Sequence, residues 1–125
     1  MEKNELFAVL RKMNVIQAIV EFSGGNDEGG VDWITLYHQN GAETELPTWV
    51  ESQRWNPTTN SYENIELTDE QKLTSALSEA VYDRYGSFAG EFSVSGTITY
   101  DVLTEKISMK KSESYTEWRD SEEDL

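Results

Sequence analysis

The chain contains no cysteine, so neither a disulfide framework nor a thiolate metal site is open to it. It has a single histidine, His38, and any metal cluster built on that residue would have to be completed by carboxylates. No Gly-x-Ser-x-Gly nucleophile elbow accompanies it, which leaves covalent catalysis without support. Long apolar runs are missing as well. The opening MEKNELFAVLRKMNV scatters charges through an apolar stripe, which argues against a signal peptide or spanning helix and for a cytoplasmic protein. Basic residues are scarce, 10 Lys and Arg against 24 Asp and Glu, for a formal net charge of −14. A field of that sign repels nucleic acid and anionic membrane and favours a protein with a basic surface as partner.

What is present is enough for one core. At 125 residues the length suits a single domain, and four Trp, six Tyr and four Phe supply large bodies to bury. The acids are unevenly placed. Residues 21–70 hold eleven of them against Arg54 alone, and residues 112–125 hold six against Arg119. Elsewhere the two signs nearly balance.

Leu6, Val9, Leu10 and Met13 recur at helical spacing, and Asn14 is placed to end that helix. VIQAIVEF and VDWITLYH are rich in β-branched and aromatic residues. They read as two antiparallel strands, with Ile16, Ala18, Val20 and Phe22 on one face of the first and Trp33 sharing a face with Val31 in the second. Asn40-Gly41 predicts a two-residue hairpin into a third strand that Pro47 marks as an edge. Residues 51–64 read as a loop or ragged hairpin. Thr68 followed by Gln71 is a capping box, opening a helix from Asp69 to about Tyr85 with Gly86 at its C′ position. Alternation from Phe92 to Tyr100 and a turn at Thr104-Glu105 give a last hairpin. RDSEEDL has too few apolar residues to offset the entropy of ordering. The expected fold is α+β, an antiparallel sheet of about five strands with two helices packed on one face, as a single domain over 1–115 followed by an acidic, mobile tail over 116–125.

The stretch Ser23-Gly24-Gly25-Asn26-Asp27-Glu28-Gly29-Gly30-Val31-Asp32 invites a ligand reading. A phosphate cradle fails, because a strand follows rather than a helix, no Lys is near, and the acids repel phosphate. A divalent cation would find oxygen ligands, but EF-hand spacing is missing. A solvated hairpin connection is the plainer reading, with a divalent-metal or small-ligand module as the alternative. Trp33 and Trp49 lie in strands, as core or sheet-face residues. Trp55, in a polar loop, is a candidate contact anchor, and equally a lid on its own core. The Ser and Thr face of residues 93–101 leaves a homodimer open.

Taken together, VIQAIVEFSGGNDEGGVDWITLY, AVYDRYGSF and GEFSVSGTITYDVLTEKISMKKSESY resemble a family of small uncharacterised bacterial and phage or plasmid proteins. Asp27-Glu28-Gly29 stands where that family has the Asp-Ser-Gly of its Gly-x-Gly-Asp-Ser-Gly hairpin. Gly96 through Val102 matches its Gly-x-aromatic-x-Asp-Val strand, with Ile107 through Tyr115 as the hairpin partner. Asn26 replaces a glycine, and Lys110-Lys111 replace a more polar stretch. The likeness spans most of residues 14–115 and implies architecture and a mobile-element context, with no chemistry attached.

The functional expectation is a non-enzymatic acidic binding protein without catalytic residue, metal or cofactor. Its partner would be a nucleic-acid-binding or defence protein, inhibited by a DNA mimic of the anti-restriction or anti-CRISPR kind. The residues expected to meet that partner are Asp27, Glu28, Asp32, Glu43, Glu45, Glu51, Glu63 and Glu66, with Trp55 as anchor. That expectation requires the acids between Glu21 and Glu70 to share one exterior patch.

Overall fold

The computed structural model describes residues 2–25, 28–48, 53–85, 93–114 and 118–125. Among them the chain forms α1 (Lys3–Lys12), β1 (Val15–Gly25), β2 (Glu28–His38), β3 (Glu43–Leu46), β4 (Gln53–Asn56), β5 (Ser61–Asn64), α2 (Asp69–Tyr85), β6 (Ser93–Asp101), β7 (Lys106–Ser114) and β8 (Trp118–Asp124). The main sheet is antiparallel throughout, in the order β3-β2-β1-β6-β7-β8, and β4 and β5 pair as a separate hairpin. The α+β architecture expected from the sequence is present, with one more strand in the main sheet than the pattern predicts. That strand is β8, which lies where a mobile tail is expected. β7 would otherwise leave its outer ladder unpaired, and backbone pairing to it satisfies amides that composition alone says nothing about.

Both helices cover one face of the sheet. Ala18, Val20 and Phe22 of β1, Ile34 and Leu36 of β2, Val94, Ile98 and Tyr100 of β6 and Met109 of β7 are all buried, together with Leu6, Phe7 and Leu10 of α1 and Leu73, Leu77 and Val81 of α2. Each such side chain withdrawn from water contributes about 2 kcal/mol before entropy is charged against it. α1 is rolled relative to the predicted stripe, with Phe7 inside and Met13 37% exposed. It ends where Asn14 takes a left-handed φ of 60°, a conformation that Asn tolerates better than most residues.

Local chemistry sets the other boundaries. At the start of α2 the Gln71 amide donates to Thr68 Oγ1 at 3.2 Å and the Thr68 amide to Gln71 Oε1 at 2.9 Å, the reciprocal bonds of a capping box. The β2–β3 hairpin forms at Asn40-Gly41 but takes three residues rather than two. The Gly41 amide closes a turn on His38 O, and Gly41 takes a φ of 87° while Asn40 does not become left-handed. That is a type I turn followed by a left-handed residue, the next most common hairpin closure. β3 stops at Leu46, immediately before Pro47. The turn after β6 is held by Asp101 Oδ1, which accepts the amides of Leu103 and Thr104, with Glu105 at a φ of 55°. The connection at Asn26-Asp27 and the predicted cap at Gly86 lie outside the described residues.

A bulge changes which side chains share a face. Glu21 pairs with Trp33 but Phe22 pairs with Val31, so Asp32 is the extra residue on β2. Val31 therefore packs against the core while Trp33 stands on the opposite face, 54% exposed, against the prediction that they share a side. A second irregularity between Val15 and Gln17 buries Val15 in place of Ile16.

Candidate partner-binding face

The face of the main sheet turned away from the helices carries the candidate site. Because paired residues in an antiparallel ladder point to the same side, the registers can be read as cross-strand rows. One row runs Trp33, Glu21, Thr97, Lys110, Glu122 across β2, β1, β6, β7 and β8. Beside it lie Ser23, Ser95 and Ser112. On the other side Glu45, Thr35, Ile19, Thr99 and Ser108 form a row, then Glu43, Tyr37, Gln17 and Asp101. The small hydroxyl side chains in the middle make a floor between taller residues at each end. The result is an open trough of about 950 Å³ lined by Glu21, Ser23, Asp32, Trp33, Thr97 and Lys110 among others.

The expected contact residues divide. Asp32, Glu43 and Glu45 come to this face, and all three are exposed. Asp32 is oriented by Ser23, whose hydroxyl donates to Asp32 Oδ2 at 2.6 Å. Glu28 is exposed at the start of β2, opposite Gly25. Glu63 lies on the separate hairpin, opposite Arg54, and accepts from Asn56 Nδ2 at 2.6 Å. Trp55 is on the same hairpin, 47% exposed and edge-on to Tyr62 with ring centroids 5.2 Å apart. It is neither a lid nor part of the trough lining. Glu66 is exposed in the segment leading to α2. Asp27 and Glu51 fall outside the described residues.

Of the taller side chains on the face, Glu21, Trp33 and Lys110 were not among the expected residues. Glu21 and Trp33 are joined by the register that the Asp32 bulge creates, and Lys110 enters through β7. Strand alternation opposite Phe22 marks Glu21 as outward-facing, whereas the bulge that turns Trp33 outward leaves no local signature. Lys110 Nζ lies 3.9 Å from Glu122 Oε2, both well exposed, a pairing worth little in water.

His38 serves the fold. Its Nδ1 is 3.1 Å from Met13 O and its Nε2 is 2.8 Å from Thr44 Oγ1, linking the end of α1 to β3. Among the described residues no group of three or more His, Asp or Glu is placed to hold a metal ion, and no helix is long and apolar enough to cross a membrane. β6 has both ladders filled by β1 and β7, so a second copy could meet its Ser and Thr face only by stacking.

Fold and face together define a small acidic α+β protein with helices on one side of a sheet and an acid-bearing trough on the other. The chain belongs to the DUF6878 family of unknown function, whose model matches residues 1–125. No curated protein and no solved structure matches it.

Proposed function

We propose that this chain is a non-enzymatic binding protein whose open sheet face docks a basic surface of a partner protein. The observations that carry the reading are the registers that put Glu21, Glu43 and Glu45 on one exposed face and the trough lining that Asp32 shares with Glu21, within a chain of net charge −14. Charge of one sign on one face raises encounter rates and selects partners more than it adds affinity.

Spacing bears on what kind of basic surface fits. Carboxylates on one face of a strand recur about every 6.6 Å and neighbouring strands lie about 4.8 Å apart, whereas duplex DNA presents a charge about every 1.7 Å of its axis. The face also includes Lys110. A protein patch with several separated cations suits it better than a continuous nucleic-acid channel. The narrower reading, a phage or plasmid inhibitor that mimics DNA before a host defence protein in the anti-restriction or anti-CRISPR manner, rests on net charge and family resemblance.

Capture from a host lysate on the immobilised chain, washed at about 50 and 500 mM salt, tests both readings. Basic proteins retained at low salt and released at high salt are the expected result, and their displacement by duplex DNA marks the mimic. Retention indifferent to salt, or of proteins with no basic surface, contradicts the docking reading.

A further inference from the structure

The trough is chemically unequal at its two ends. At the β7–β8 end, Lys110 is already faced by Glu122. At the β1–β2 end an indole 54% exposed to solvent stands directly across from Glu21, with Cβ atoms at a cross-strand separation of about 5 Å. The Glu21 carboxylate is exposed and has no hydrogen-bond or ion-pair partner among the described residues. The Asp32 carboxylate stands beside it, using one oxygen to accept from Ser23. Between the ends the floor is Ser23, Ser95, Thr97 and Ser112, hydroxyls that both donate and accept.

We infer that this trough receives an extended, arginine-bearing segment of the basic partner, with one guanidinium stacked on the Trp33 indole and its N–H groups donated to the Glu21 carboxylate. The inference rests on the basic-partner reading and specifies its chemistry. Charge complementarity chooses a cation over an anion, since Glu21 and Asp32 flank the indole. Geometry chooses Arg over Lys. A planar guanidinium lies flat on an aromatic face and still presents a fork of donors at its edge, whereas an ammonium is a hydrated point charge that does one or the other less well. The hydroxyl floor crosses from β1 to β7, and the whole row spans four strand spacings, about 19 Å. That length takes five or six extended residues, whose main-chain amides and carbonyls the Ser95 and Thr97 hydroxyls can pair, with Ser23 Oγ left to accept.

The full chain is titrated with three otherwise identical seven-residue peptides carrying two Arg, two Lys or two citrulline residues. Affinity is measured together with the NMR shifts of the four indole N–H groups. The Arg peptide is expected to bind about fivefold more tightly than the Lys peptide, to bind more tightly still relative to the citrulline peptide, and to shift the Trp33 signal most. Trp33→Leu should erase the preference for Arg over Lys, and Glu21→Gln should weaken the Arg peptide about fivefold. Equal affinity for Arg and Lys peptides overturns the inference, as does citrulline binding as tightly as Arg, which would mark a neutral polar ligand. Thermal unfolding checks that Trp33→Leu is folded; if it is not, the Glu21→Gln comparison decides alone. Should Trp33→Leu retain the full Arg preference while neutralising Asp32, Glu43 and Glu45 abolishes binding to the basic partner, this inference falls and the proposed function stands.

Discussion

Phe22 lies across the β1–β6 ladder from Gly96, and its ring fills the space that a β-carbon there would need. Such a carbon would fall 2.6 Å from Phe22 Cζ and 2.7 Å from Lys110 O. The ring also meets Tyr85 of α2, centroid to centroid at 5.6 Å. Gly96→Ala is therefore expected to cost about 1–3 kcal/mol through overpacking, read as a lower urea midpoint with unchanged slope. A variant as stable as the parent would mean that Phe22 has room to move.

The capping box predicts a smaller effect. Thr68→Ala removes the hydroxyl that accepts the Gln71 amide at an exposed position, for a loss of about 1 kcal/mol. Thermal unfolding should show it, with the helix content of the folded state retained.

Beneath the far end of α2, Lys111 Nζ lies 3.1 Å from Glu113 Oε1, with side chains only 10% and 16% exposed, and the Tyr85 hydroxyl donates to the same oxygen at 2.8 Å. Lys111→Met takes the cation away from a carboxylate in a largely dry place, at a cost of about 3 kcal/mol. Lys111→Met with Glu113→Leu should recover much of the loss in chemical denaturation.

Tyr100 gives the pH dependence. Its hydroxyl donates to Leu77 O at 2.8 Å. Burial pushes the phenol well above its ordinary value, and the negative charge of Glu79 adds to the effect. The folded chain thus holds this proton where the unfolded chain, with a phenol pKa near 10, releases it. The stabilisation is complete below about pH 10 and is lost as pH rises beyond it. Unfolding free energy measured at pH 8 and pH 11 should fall more for the parent than for Tyr100→Phe.

Much of the fold is legible in the sequence. Period-two alternation located β1, β2, β6 and β7, the Thr68–Gln71 pair located α2, and Asn40-Gly41 located a hairpin. Each is a local preference that the tertiary structure did not override. The Asp32 bulge was not legible, because an extra residue in a ladder is decided by the partner strand, and it is what separates Val31 from Trp33. β8 was hidden for a related reason, since pairing to β7 supplies what its own composition lacks. Half of the face could be anticipated from charge, as Asp32, Glu43 and Glu45. Its aromatic member could not.

The central claim is that carboxylates gathered on the open face engage a basic partner. It is tested most directly by the salt dependence of binding to a captured basic protein, comparing the parent with a variant carrying Glu21→Gln, Asp32→Asn, Glu43→Gln and Glu45→Gln. These side chains are all exposed, so the fold should persist. At about 50 mM salt the variant is predicted to bind roughly fourfold to several hundredfold more weakly, at roughly 0.2–1 kcal/mol per exposed charge, and its affinity should fall less steeply as salt rises. Equal affinity and an equal slope in a folded variant would contradict the account.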